Sequence, residues 1–195
     1  ARLKGTSSAI NNSFASGGTT AITNSGVSTK NAPGNITSTG AFSTTGDVNL
    51  AANITTTDTN LTIGGNLVIA EAATPTLSTG AGTAGNVTVT GTTNGTAGGV
   101  AETLTVQAGT GTVTFTGNVG NNTDALELEA LTLTNAAATT FSGTLDLANA
   151  LTQTNAATGT TTFTGAVAVG SADLKGTAYA LNNSFASGGT TSIAN

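Results

Sequence analysis

The chain of 195 residues has no cysteine, histidine, methionine or tryptophan and only two prolines. Without cysteine there is no disulfide framework, no thiolate metal site and no thiol redox chemistry. Without histidine as well, the commonest transition-metal ligands and the usual base–nucleophile pairs are missing. Charge is scarce: 4 Lys and Arg face 9 Asp and Glu, for a net charge of −5. Four cations cannot neutralise a phosphate backbone, which sets nucleic acid aside as a partner. No apolar run reaches the roughly 18–20 residues of a transmembrane helix. These absences point away from an enzyme, and no catalytic, cofactor or metal site is expected.

What remains is small and β-branched. Thr (45), Ala (32), Gly (27), Asn (20) and Ser (14) make up 138 of the 195 residues. Thr, Val and Ile together number 63, all stiff at χ1 and suited to a pleated surface. Disorder normally comes with abundant charge or proline, so the composition favours an ordered β protein.

The strongest feature is an internal repeat. Residues 1–24 and 172–195 are identical at 18 of 24 positions, including an unbroken NNSFASGGTT at 11–20 and 182–191. The chain therefore reads as one unit, 1–171, followed by the start of the next, 172–195, within a longer tandem array. Inside the unit, Thr114–Val119, Thr140–Leu145 and Thr162–Val167 share the form T-F-[ST]-G-x-[VL]. Their phenylalanines are 26 and 22 residues apart, and Phe185 follows Phe163 by another 22. Apolar residues alternate with Thr, Ser or Asn, the period of a strand, and Gly117, Gly143 and Gly165 fall at inward positions. Gly34-Asn35, Gly46-Asp47, Gly65-Asn66, Gly85-Asn86 and Gly117-Asn118 each precede a strand-like run, as turn residues tolerant of positive φ. Helical periodicity is nearly absent: 125–138 alternates with a phase slip at Ala130, a bent or bulged strand.

Short strands, frequent turns and quasi-repeats near 22 residues predict an all-β fold, a right-handed parallel β-helix (β-solenoid) with coils of roughly 19–22 residues. Tandem Ig-like β-sandwiches are the alternative, although one Tyr and no Trp suit such cores poorly. The strings GNVTVTGTTNG (85–95), GTVTFTGNVGNN (111–122) and the stretch 131–167 resemble passenger regions of filamentous-haemagglutinin-type exoproteins and autotransporter adhesins. This resemblance of texture and periodicity implies a β-helical, secreted, cell-surface fibre of a bacterium.

The candidate sites have modest readings. The carboxylates are Asp47, Asp58, Asp124, Asp146, Asp173, Glu71, Glu102, Glu127 and Glu129. A sugar-cleaving pair needs basic and aromatic company, but Arg2, Lys4, Lys30 and Lys175 stand apart, so the carboxylates read as solvated. Glu127 and Glu129 share the face opposite Leu126 and Leu128. No calcium-loop spacing is present. The N-x-[ST] sequons at Asn11, Asn35, Asn53, Asn60, Asn86, Asn94, Asn121 and Asn182 are about as many as composition supplies. Thr-x-Thr triplets at 88–90, 103–105, 112–114 and 132–134 would project hydroxyls outward in the manner of an ice-binding face, but their uneven spacing need not align them. NNSFASGGTT reads as a corner with buried Phe14 and Phe185 anchors, and Asn11-Asn12 and Asn182-Asn183 as amide ladders between coils. The expected role is a structural, self-assembling repeat segment of an extracellular fibre, filament or surface layer. Its partners would be copies of itself stacked head to tail. The alternative is an adhesin segment binding a host or neighbouring-cell surface.

Overall fold

The computed structural model describes residues 1–31, 34–82, 85–96, 102–121 and 128–194, with backbone alone at 155–158. It is a right-handed parallel β-solenoid of about 8 turns, and the described residues contain no helix. Strands pair in parallel along the whole stack, whereas sandwiches are built from antiparallel sheets. The sandwich alternative is therefore overturned.

Each turn lays three short strands on three faces. The first face carries Arg2–Gly5, Thr20–Asn24, Phe42–Thr44, Leu61–Ile63, Val87–Val89, Thr112–Phe115 and Ala138–Phe141. The second carries Ser8–Ile10, Ser28–Lys30, Val48–Leu50, Leu67–Ile69 and Thr93–Asn94. The third carries Phe14–Ser16, Ile36–Ser38, Ile54–Thr56, Thr76–Ser78, Thr103–Gln107 and Ala130–Asn135. Two long extended segments, Leu145–Phe163 and Val167–Leu181, then run round the corners through all three faces. Phe185–Ser187 and Thr191–Ala194 complete the last coil.

Coil lengths follow from the register. Phe163 pairs with Leu181, 18 residues on, and Leu61 with Val87, 26 on, a wider range than the 19–22 expected. The additional residues lie at corners, so strands stay in step while the loops vary. The bulge expected at Ala130 falls instead at Thr134, skipped between the pairs Val106–Leu133 and Gln107–Asn135. Leu126, where the alternating run begins, lies outside the described residues.

In most strands the two outer residues of each triplet are buried and the middle one faces out. Columns of like residues fill the interior, and each fully buried Leu or Ile contributes about 1.5–3 kcal/mol. The rings of Phe115, Phe141 and Phe163 stack at 5.3 and 5.1 Å, within 4° and 1° of parallel. Phe185 continues this series in number only. The coil after Phe163 is short, so Leu181 takes the stack position, while Phe185 lies on the second face and meets Phe163 edge-on at 6.0 Å.

The corner between the first and second faces is a column of glycines: Gly46, Gly65, Gly91, Gly117, Gly143 and Gly165. Gly117, Gly143 and Gly165 thus sit at this corner rather than pointing inward. A Cβ on Gly117 would lie 2.5 Å from the Gly91 carbonyl oxygen, and one on Gly91 2.6 Å from the Gly65 carbonyl carbon. Among the Gly-Asx pairs only Gly34 has positive φ, so close approach of coils explains the others better than backbone freedom does. Asx residues beside the strands complete the corners by accepting a backbone N–H from the next coil. Asp47 takes Asn66 (2.7 Å), Asn66 takes Thr92 (2.9 Å), and Asn118 takes Thr144 (3.0 Å). Two further columns do the same: Asn60 to Asn86 (3.0 Å) and Asn86 to Thr112 (2.9 Å), and Asn53 to Thr76 (2.8 Å).

Gly117→Ala is expected to lower unfolding free energy by about 1–3 kcal/mol, the usual cost of overpacking, because backbone rather than a movable side chain opposes the methyl. Thr116→Ala, one residue away and exposed, should stay within about 0.5 kcal/mol. Urea unfolding of the two variants distinguishes them; equal losses would contradict the corner-column explanation.

Candidate functional site

The carboxylates are spread over different faces and turns. Asp47 belongs to a corner column, and Asp58 occupies a turn with φ of 57°. Glu71 is exposed, and Asp173 pairs with Lys175 at 3.6 Å on the surface. Glu102 departs from the solvated reading: it is buried and accepts a hydrogen bond from Thr96 Oγ1 at 2.7 Å. Glu129 lies one coil on, its N–H donating to the Glu102 carbonyl, and its carboxylate accepts from Asn149 Nδ2 at 3.1 Å. Stacking of Glu102 and Glu129 requires knowledge of the register, which sequence spacing alone does not supply. Asp124 and Glu127 lie outside the described residues. Among the described residues, no group of three His, Cys, Asp or Glu could hold a metal ion.

Among the described residues, two surface concavities stand out. One, of about 250 Å³, is lined by Asn118, Asn121, Thr144 and Asp146, and burial pushes the Asp146 carboxyl above its ordinary value. The other, of about 340 Å³, runs along the third face past Thr152, Ser171, Asp173, Thr190 and Ser192.

Of the sequon asparagines, Asn35, Asn53, Asn60 and Asn86 use their side-chain oxygens on the next coil, a structural occupation. The two NNSFASGGTT copies occupy different faces. Phe14 pairs with Ile36 on the third face, and Phe185 with Val167 on the second. Both rings are half-buried rather than buried, packed against the end of the core. The amide ladder appears at Asn11, whose Oδ1 accepts from Asn31 Nδ2 at 2.7 Å, whereas Asn183 Oδ1 accepts its neighbour Ser184 N–H. Comparison of the chain with protein-family models, curated proteins and solved structures found no match.

Sequence reasoning did not anticipate Lys30. It sits on the second face between Ile10 and Leu50, points inward, and is 1% exposed. Its Nζ donates to the carbonyls of Ile10 (3.2 Å) and Asn31, and among the described residues no carboxylate pairs with it. Burial pushes its pKa below the ordinary 10.5. The unfolded chain therefore holds this proton more tightly than the folded one. Below the folded-state value the charged amine exerts its full penalty, and the penalty disappears as pH rises towards 10.5. Wild type should gain stability relative to Lys30→Met across that window, and the variant should be the more stable at neutral pH. Thermal melts over pH test this; a variant less stable at neutral pH would show that the amine–carbonyl bonds outweigh desolvation.

Proposed function

We propose that this chain is a non-catalytic structural segment of a long extracellular fibre, filament or surface layer of a bacterium. Residues 1–171 then form one unit of a continuous solenoid, and 172–195 open the next. The observation that supports this best is unbroken pairing from the unit into the second copy: Leu174 pairs with Gln153 on one side and Ile193 on the other. The first copy begins on the first face, with Leu3 against Ile22, whereas Leu174 lies on the third. In a tandem array, successive copies would therefore be turned by one face. Coils contact only their neighbours, so added units lengthen the rod without thickening it. About 8 turns at about 4.8 Å give a rod near 40 Å.

Self-association through coil ends belongs to this reading. Low charge offers little opposition to edge pairing. A second reading, an adhesin segment, is favoured by the groove along Thr152, Asp173 and Ser192. A glycan array on the isolated chain tests it, and absence of binding leaves the structural role alone.

Small-angle scattering of chains with one and two units is expected to show length rising with copy number at constant cross-section. A compact two-unit particle would refute the rod.

A further inference from the structure

The outward side of the first face is a regular hydroxyl lattice. Pairing places Thr62, Thr88, Thr114, Thr140 and Thr162 in a single column, one per coil, although the coils differ in length. A second column of Thr90, Thr116, Ser142 and Thr164 runs beside it. Each of its backbone N–H groups donates at 2.9 Å to the preceding coil, from Thr90 to Ile63, Thr116 to Val89, Ser142 to Phe115 and Thr164 to Phe141. The aligned triplets are thus 88–90, 114–116, 140–142 and 162–164. The triplets 103–105 and 132–134 belong to the third face, and Thr112 pairs with Ala138.

Several observations set this lattice apart. Among the described residues, none is hydrogen-bonded to the side-chain hydroxyls of Thr88, Thr114, Thr140 and Thr162, nor to those of the outer column, which is exposed. Three of its coils are in step in the core: Phe115, Phe141 and Phe163, each next in sequence to a column threonine, stack with ring planes within 4° and 1° of parallel. Both edges are pinned, one by the Asn60–Asn86–Thr112 hydrogen bonds and the other by the glycine column. Neither column contains a charged residue between Thr62 and Thr164. Only the first face carries two hydroxyl columns side by side; the third has a single column, Thr76, Thr105, Thr132 and Thr152, which ends at Asp173. The second presents Asn49, Val68, Asn94 and Asp146, and the third has the Thr134 bulge and Asp173.

We propose that this face binds ice. Hydroxyls repeat about every 4.8 Å along the axis and about every 6.7 Å along the strand, two residues apart. This two-dimensional spacing approaches that of oxygens on faces of crystalline water. β-Branching fixes χ1, so hydroxyl and methyl groups are held in place before the surface is met. A crystalline polysaccharide would instead call for aromatic platforms, which these columns lack.

The test is ice growth in the presence of the 195-residue chain, read as thermal hysteresis and inhibition of recrystallisation. Thr114→Lys with Thr140→Lys should abolish the effect, while Thr105→Lys with Thr152→Lys on the third face should retain it. Circular dichroism and melting temperature report whether each variant folds. Should the inner-column variant misfold, Thr116→Lys with Ser142→Lys, at exposed positions, replaces it and should also lose activity. The proposal is overturned if the wild-type chain leaves ice growth unaltered or if the third-face variant loses activity equally. Sedimentation with crystalline cellulose or chitin and no effect on ice would also overturn it.

Discussion

Close approach of successive coils at one corner constrains much of the molecule. From Gly46 to Gly165 the corner between the first and second faces is glycine because the backbone of the preceding coil occupies the space a Cβ would need. With that corner closed tightly and uniformly, the strands leaving it begin at the same height on every turn. The register of the first two faces depends on it, and hence so do the identities of the residues that meet in the core.

Columns of like residues follow from that register. Asn oxygens reach the next N–H because the same corner recurs one coil later, and phenylalanines stack because Phe115, Phe141 and Phe163 occupy one position on consecutive turns. From Gly46 onward, length variation is confined to the other corners, which explains how coils of 18 and 26 residues coexist in one rod. Interior polar groups are handled within the same scheme: Thr20 and Ser38 hydrogen-bond at 3.1 Å, and Thr161 donates to the buried Gln153 at 3.1 Å.

Strand alternation, the Gly-Asx pairs and the T-F-[ST]-G motif made the parallel solenoid legible in the sequence, since each reflects a local rule of period or corner chemistry. Properties set by the pairing of distant residues were less accessible. Lys30 points inward because it lies in register with Ile10 and Leu50, a fact that its polarity conceals. Phe185 misses the aromatic stack because one coil is short, although its spacing from Phe163 repeats the previous interval. Sequence spacing does not align the Thr-x-Thr triplets because 112–114 is one pair of positions out of phase with 88–90, and only the Thr88–Thr114 pairing reveals the true columns. The candidate carboxylates were visible as residue types, whereas burial of Glu102 and its stacking with Glu129 depend on coil register.

The most direct test of the stacked-coil account is a distance between spin labels at Ala21 and Thr162. These residues are 141 apart in sequence but lie in one column, connected through Ser43, Thr62, Thr88, Thr114 and Thr140. Six coil steps give about 29 Å between their backbones, so pulsed electron resonance should show one narrow peak near that value after allowance for the label arms. A broad distribution, or a peak far from it, would contradict the register on which the corner glycines, the aromatic stack and the hydroxyl lattice all depend.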